Sequence, residues 1–274
     1  MARQRLGQHF LSDEGWREQI ARAIGASRHS TLVKPAVNAP ESCWIEVGAG
    51  HGEMTEHLLG TGTAVYAIEL DESLANALKK LAKKSANLTV IHGDVLQTDL
   101  AKLAAGRRVH VYGNLPYYIT SPILHHLFLF AKAIDEMHIV IQEEVARRLT
   151  AKPQTKPYGY LSVATQLYAR PEYVLQIPRS AFSPPPEVAS ALVTLRLPGE
   201  WTKLGAGDER AFLEFVKKCF SQKRKTLVNN LRSLAKPERV KQALAAQSLR
   251  PDARAEQLSV AELAALHGAR GGER

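Results

Sequence analysis

Between residues 43 and 142 the chain alternates short β-rich apolar runs with helical stretches, and that rhythm leaves few folds open. The runs at 43–47, 64–70, 88–92, 109–113 and 137–142 are separated by helical stretches at 54–59, 74–81, 100–105 and 123–130. A strand that rejoins its sheet through a helix does so by a right-handed crossover, so the pattern predicts a parallel sheet clad in helices. After a further helix over 160–168, two extended runs, 173–177 and 189–197, follow with no helix between them. We expect these as an antiparallel hairpin at one sheet edge. Pro198-Gly199-Glu200 then breaks the rhythm, and the remainder reads helical. Phe212, Phe215, Val216, Cys219 and Phe220 form one apolar stripe, Leu227, Leu231 and Leu234 follow, and Ser259 with Glu262 reads as a capping box before a last short helix. The expected domains are 1–198 and a small all-α 199–274. Ahead of the first strand, Trp16, Ile20 and Ile24 recur at helical spacing, which suggests an arm laid against the core.

Charge narrows the partner. The 274 residues carry 36 Lys and Arg against 27 acidic residues, a net +9, which favours a polyanion or an anionic surface. The first seven residues lack the apolar region of a signal peptide, and the most apolar later stretch, 123–133, is interrupted by His125, His126 and Lys132. A cytoplasmic protein without a membrane span is expected. Cys43 and Cys219 are too few and too distant for a disulfide framework or a zinc knuckle, and the ten His residues show no ligand-like grouping with Cys or Asp, so no metal is expected.

In an open parallel sheet, ligands bind outside the carboxyl ends of the strands. Four features fall there. Asn114-Leu115-Pro116-Tyr117 follows the run 109–113 and precedes Ser121-Pro122, which reads as a helix N-cap and first-turn proline. An Asn side-chain carbonyl and the carbonyl before a Pro can accept two hydrogens from an exocyclic amine, and Tyr117 offers a face for a base; the same residues also fit a plain turn. Glu46-Val47-Gly48-Ala49-Gly50-His51-Gly52 lies between the first strand and its helix, where glycines let backbone approach a ligand. Glu69 closes the second strand, where a carboxylate can accept from both hydroxyls of a ribose, and Gly93-Asp94 closes the third, where one can receive an adenine amino group. Singly, Glu69 fits a solvated strand end and Asp94 a helix N-cap; in sheet order they converge. The spacing is G-x-G-x-G rather than the pyrophosphate-binding G-x-G-x-x-G, which prefers S-adenosylmethionine to NAD.

Together with Gly7-Gln8-His9-Phe10-Leu11 and Phe182-Ser183-Pro184-Pro185-Pro186, these features resemble the ribosomal RNA adenine dimethyltransferases. The likeness covers nearly the whole chain, including Gln222-Lys223-Arg224-Lys225-Thr226 and Arg254-Ala255-Glu256-Gln257-Leu258-Ser259 in the tail. It implies a Rossmann-like S-adenosylmethionine-dependent methyltransferase fold, with a mostly parallel seven-stranded sheet, an antiparallel edge hairpin and a small all-α C-terminal domain. It further implies that His9, Leu11, Gly48, Gly50, Glu69, Asp94 and Asn114 contact S-adenosylmethionine, while Asn114, Leu115, Pro116, Tyr117 and Phe182 hold the target adenine. Lys223, Arg224 and Lys225 read as an RNA-facing surface, although a basic run between helices also fits a solvated face. Three positions depart from the family pattern: His9 stands where Asn is usual, Ala49 where Pro is usual, and Glu187 where a basic residue is common. The small-subunit branch, which dimethylates two adjacent adenines near the 3′ end of the RNA, is favoured by the arm motif and Leu115; its partner would be a pre-small ribosomal subunit, met by a monomer. The competing readings are a large-subunit RNA methyltransferase conferring antibiotic resistance, an assembly or transcription factor whose methylation is incidental, and a small-molecule methyltransferase, which the +9 charge fits poorly.

Overall fold

The computed structural model describes residues 9–26, 42–204 and 208–269. Gly7 and Gln8 of the arm motif lie outside the described residues. In order the elements are β1 (Phe10–Leu11), α1 (Glu14–Ala23), β2 (Ser42–Val47), α2 (Glu53–Leu59), β3 (Ala64–Glu69), α3 (Glu72–Ala82), β4 (Leu88–His92), α4 (Leu100–Ala104), β5 (Arg108–Asn114), α5 (Thr120–Phe128), β6 (Ile134–Gln142), α6 (Glu143–Leu149) and α7 (Tyr160–Tyr168). They continue with β7 (Arg170–Ile177), β8 (Phe182–Ser183), β9 (Ser190–Arg196), α8 (Trp201–Leu204), α9 (Glu209–Cys219), α10 (Leu227–Asn230), α11 (Pro237–Ala245) and α12 (Val260–Ala269).

Seven strands form one sheet in the order β4-β3-β2-β5-β6-β9-β7. The first five in that order pair in parallel. β9 runs antiparallel to β6, with Met137 opposite Leu195 and Val140 opposite Leu192, and β7 flanks β9 at the edge. The expected edge pair therefore forms, with its second strand slotted inside its first. Every residue of β2 is buried, as are Val111, Met137, Ile139 and Ile141, because helices on both faces of a parallel sheet demand continuous apolar runs. A second sheet joins β1 to β8, with Leu11 opposite Phe182. The arm then enters α1, capped by Asp13 accepting from Trp16 N at 3.0 Å, and buries Ile20 and Ile24 in the core that holds Trp44 and Leu58.

Two local expectations shift. Ser121 is not an N-cap: α5 begins at Thr120, whose hydroxyl donates to the Pro116 carbonyl at 3.1 Å, so Ser121 and Pro122 both lie inside its first turn. The chain also divides into two compact units, one ending at Ala146 and taking up Glu172–Leu197, the other holding Arg147–Pro171 and everything from Pro198. Residues 147–171, read from sequence with 1–198, pack with the helices. Ala151, Tyr158, Val163 and Leu167 share a core with Phe212, Phe215, Val216 and Leu258, and the Tyr158 hydroxyl donates to the Leu258 carbonyl at 2.9 Å. The α9 stripe is buried there as its spacing predicts, and Ser259 and Glu262 exchange bonds at 2.7 and 3.2 Å as a capping box. Cys43 and Cys219 are both buried. Among the described residues no helix is long and apolar enough to cross a membrane.

Candidate active site

The polar groups named from sequence collect at the carboxyl ends of β2, β3, β4 and β5. β5 ends on Asn114, and the ladder continues one residue further through Leu115 N–H to the Val140 carbonyl at 3.0 Å. Pro116 then turns the chain, and its carbonyl accepts from Ile119 N at 3.2 Å. The loop is thus anchored on both sides of the proline. Asn114 is oriented by the arm: its Nδ2 donates to the His9 carbonyl at 2.8 Å. That contact takes up the amide nitrogen and leaves Oδ1, a pure acceptor, for a guest amine. Tyr117 shares a hydrogen bond at 2.6 Å with Ser190 Oγ, stands 5.5 Å from the His9 ring, and has its phenol pKa raised by burial, the Ser190 bond opposing the rise.

Glu69 is almost fully buried. Its Oε2 accepts from Gly50 N at 2.8 Å and its Oε1 from Asp71 N at 2.9 Å, so one carboxylate ties the glycine loop to the turn after β3. Each oxygen keeps a lone pair for a further donor. Gly48, at φ +71°, shows why a glycine is needed: a Cβ there would touch no protein atom and would project from a backbone geometry that L side chains rarely adopt. Asp94 Oδ1 caps the turn at Val95–Gln97 by accepting from Leu96 N at 2.9 Å, and the residue also lines the cleft. Beneath them Glu46 is buried and accepts from Thr55 Oγ1 at 2.5 Å. Desolvation pushes its carboxyl up to about 8, with Glu53 and Glu69 adding to the rise and the Thr55 bond opposing it.

The cleft has two adjoining lobes that share Gly48, Glu69 and Pro116. One is walled by His9, Phe10, Gly50, Asn114 and Tyr117, the other by Asp94, Leu70, Tyr118, Ile119 and Ile123. Their volumes, about 50 and 70 Å³, are small beside the roughly 300 Å³ or more of a typical ligand site. The donor set fits S-adenosylmethionine: two carboxylates at adjacent strand ends for ribose and adenine, and open space over Gly48.

Some site residues lie elsewhere than sequence suggested, and others were missed. Phe182 is 3% exposed within the core cluster that also holds Leu11. Both residues are paired strand to strand, which suits holding the arm better than touching a ligand. Phe10 was overlooked as a wall residue although it lies 3.2 Å from the Cβ position of Gly50. Leu70 and Tyr118 were overlooked as well, at 49% and 60% exposed; their signal was an apolar residue directly after each polar one, at a strand end that should have been wet. Of the departures, Ala49 N donates to the Ile68 carbonyl at 3.3 Å, a bond that a proline could not make, and His9 Nδ1 meets the Pro184 carbonyl at 2.8 Å. Glu187 is exposed.

The sequence pattern of ribosomal RNA adenine dimethylase matches residues 1–267. The chain belongs to this family. Ribosomal RNA small subunit methyltransferase A of Acidobacterium capsulatum is 41% identical over 264 residues, 96% of this chain and 89% of that protein. The protein of the same name from Xanthomonas euvesicatoria pv. vesicatoria is 39% identical over 265 residues, 97% of this chain and 95% of its own. Among solved structures, a dimethyladenosine transferase from Plasmodium falciparum has a TM-score of 0.74 at 24% identity, covering 94% of this chain and 96% of that one. The 23S rRNA methyltransferase ErmE has a TM-score of 0.68 at 24% identity, with 95% and 98% covered. These two bear on the fold alone, and the Rossmann-like methyltransferase architecture expected from sequence is the one present. The family is an enzyme family, and its methyl donor is S-adenosylmethionine.

In this family member's helical unit, Lys223, Arg224 and Lys225 lie exposed between α9 and α10. Lys223 is partly engaged, donating to the Lys156 carbonyl at 2.5 Å and standing 3.7 Å from a Glu256 carboxylate oxygen.

Proposed function

We infer that this enzyme dimethylates N6 of two adjacent adenines near the 3′ end of small-subunit ribosomal RNA, acting as a cytoplasmic monomer during small-subunit biogenesis. The observation that carries the chemistry is the Asn114 amide, which lines the cleft and donates an Nδ2 hydrogen to the His9 carbonyl, so that Oδ1 is left as an acceptor. The small-subunit substrate is supported by the name of the relatives at 41% and 39% identity, ribosomal RNA small subunit methyltransferase A.

In this reading Glu69 would accept from the cofactor's ribose and Asp94 from its adenine amino group, with the Gly48 backbone, His9 and Gly50 at the rim and Leu11, read from sequence as a cofactor contact, holding the arm from the core side. When bound, S-adenosylmethionine supplies an electrophilic methyl group for in-line transfer. An adenine N6 lone pair is delocalised into the ring and must be turned out before it can attack. Asn114 Oδ1 and the Leu115 carbonyl, accepting the two amine hydrogens, favour that geometry, and Pro116 keeps the second carbonyl turned toward the cleft. The base leaves its stack at a cost of a few kcal/mol. Stacking on Tyr117, about 1–3 kcal/mol per base, offsets this, and Phe182 contributes by fixing the arm that orients Asn114. Lys223, Arg224 and Lys225 meet RNA phosphates, and the sheet unit and helical unit divide catalysis from RNA binding.

The test is to incubate the enzyme with methyl-labelled S-adenosylmethionine and isolated small or large subunits from a strain lacking these methyl groups, then map the label. Two adjacent dimethylated adenines in small-subunit RNA are expected. Label confined to large-subunit RNA would overturn the assignment.

A further inference from the structure

Far from the cleft, toward the amino ends of the strands, lies a second group of side chains that the methylation chemistry does not use. His110 on β5 pairs with Glu136 on β6, and His138, two residues on, pairs with Thr194 on β9. Residues two apart on a strand share a face, so the register places all three side chains together. One donor atom from each lies within 4.8 Å of the other two. Both imidazoles are more than nine-tenths buried, and His110 Nδ1 and His138 Nε2 have no hydrogen-bond partner. His138 Nε2 does stand 3.2 Å from Glu136 Oε2, but without the alignment of a hydrogen bond. Buried imidazole nitrogens are ordinarily satisfied, and two orphans beside one carboxylate call for a shared partner.

We propose that His110, Glu136 and His138 bind one divalent transition-metal ion, with zinc as the best match. Two imidazoles and a carboxylate are a zinc donor set, and three protein ligands leave a fourth position for water, reached past the half-buried Glu136 side chain. Donors about 2.0–2.2 Å from a tetrahedral zinc sit roughly 3.4 Å from one another, so a cluster whose donors all lie within 4.8 Å needs to close by at most about 1.4 Å on binding. The surroundings are those of a metal site. Thr194 Oγ1 lies 3.0 Å from His138 Nδ1 and can accept its proton, which leaves the Nε2 lone pair for the ion. Arg196 Nε holds the other Glu136 oxygen at 3.0 Å, and the neighbouring cations are themselves paired, Arg196 also with Glu172 and Arg108 with Asp135. His110 precedes Asn114 by four residues of strand, about 13 Å. The ion would brace β5 against β6 and leave the methylation site untouched.

The experiment is a zinc titration of the chelator-treated full chain, followed by calorimetry against a competing chelator and by thermal unfolding. The expected result is one ion per chain at micromolar affinity or tighter, with a raised midpoint of unfolding. His110→Gln, His138→Gln and Glu136→Gln should each lose more affinity than Thr194→Val, for which loss of an outer partner predicts roughly 10–100-fold. Cobalt supplies an independent reading, because the Trp44 ring lies 5.2 and 5.8 Å from the two imidazoles and its emission should be quenched as cobalt binds. That reading needs no substitution in the cluster, only Trp16→Phe and Trp201→Phe to leave Trp44 as the single tryptophan, so a His substitution that fails to fold does not block the test. Zinc binding that survives Glu136→Gln and Thr194→Val unchanged, or cobalt that leaves Trp44 emission unaltered, would overturn the proposal. S-adenosylmethionine affinity should be the same with and without the ion.

Discussion

The cleft rim and the basic turn of the helical unit are both proposed to meet the same RNA, yet they are built in opposite ways. At the rim each polar group is pinned: Asn114 by the His9 carbonyl, Glu69 by two backbone N–H groups, Asp94 by Leu96 N, Tyr117 by Ser190. In the basic turn Arg224 and Lys225 are exposed, and only Lys223 is tied to a neighbour. Directing a lone pair at a carbon demands donors and acceptors fixed before the reaction, whereas attracting a polyanion demands only charge near the surface. The difference predicts how each region fails. Rim substitutions should change rate or cofactor affinity sharply, and basic-turn substitutions should change salt dependence gradually.

The largest effect is expected at Asn114. Removing one preorganised polar group aimed at the transition state costs about 10²-fold or more, so Asn114→Ala should lower single-turnover methylation by that factor at saturating S-adenosylmethionine. RNA binding should be retained. Asn114→Asp keeps an acceptor and should recover part of the rate. If both variants methylate at the wild-type rate, the rim is not a catalytic device and the contrast with the basic turn collapses.

Next comes Glu69, where loss of a buried charged acceptor costs about 1.5–3 kcal/mol. Calorimetry on Glu69→Ala should show S-adenosylmethionine binding weakened about tenfold or more, alongside a smaller cost in stability because Gly50 N and Asp71 N lose their acceptor. Unaltered affinity in a folded variant would remove Glu69 from the cofactor site.

Glu46 sharpens the contrast by showing that the rim's foundation is neutral. Its folded carboxyl titrates at about 8, while the unfolded one titrates near 4.3. Between those values the native state holds a proton that the unfolded chain has released, so stability falls as pH rises, by up to about 1.4 kcal/mol per pH unit. Glu46→Gln keeps the shape and an acceptor for Thr55 but cannot ionise. Urea unfolding at three pH values from about 5 to about 8 should show the variant gaining on wild type as pH rises; parallel curves would mean that Glu46 is ionised in the folded protein.

Why the sequence revealed the rim so readily, and other features not at all, follows from how each is assembled. Gly48, Glu69, Asp94 and Asn114 each sit at the end of a strand, and parallel topology delivers all such ends to one edge, so order along the chain is enough to group them. The cluster of His110, Glu136 and His138 arises from pairing between strands, and register is invisible until the strands are aligned. The burial of Phe182 follows from pairing with the arm, a contact 171 positions away in sequence, and the allegiance of residues 147–171 follows from which core Tyr158 and Leu167 enter. None of these is written in local periodicity. Ser121 was displaced as the N-cap of α5 by Ile119, which makes no side-chain capping bond, so nothing in the local sequence marks that start.

The smallest effect is expected in the basic turn. Each phosphate contact contributes about 0.7–0.9 to the slope of log affinity against log salt, so three independent contacts would flatten that slope by roughly two to three units when all three basic residues are replaced. Lys223 is already shared with Glu256 and the Lys156 carbonyl, which places the expected loss at the lower end, about two units, most of it from Arg224 and Lys225. Replacing Glu256 with Gln should move it the other way, releasing Lys223 and steepening the slope slightly. Cofactor affinity should be unchanged in all of these variants, because none of the residues lines the cleft. A slope identical to wild type in the triple variant would mean the turn is only a solvated face and that RNA is gripped elsewhere. A fall in cofactor affinity would mean that the basic turn, like the rim, is coupled to the catalytic site.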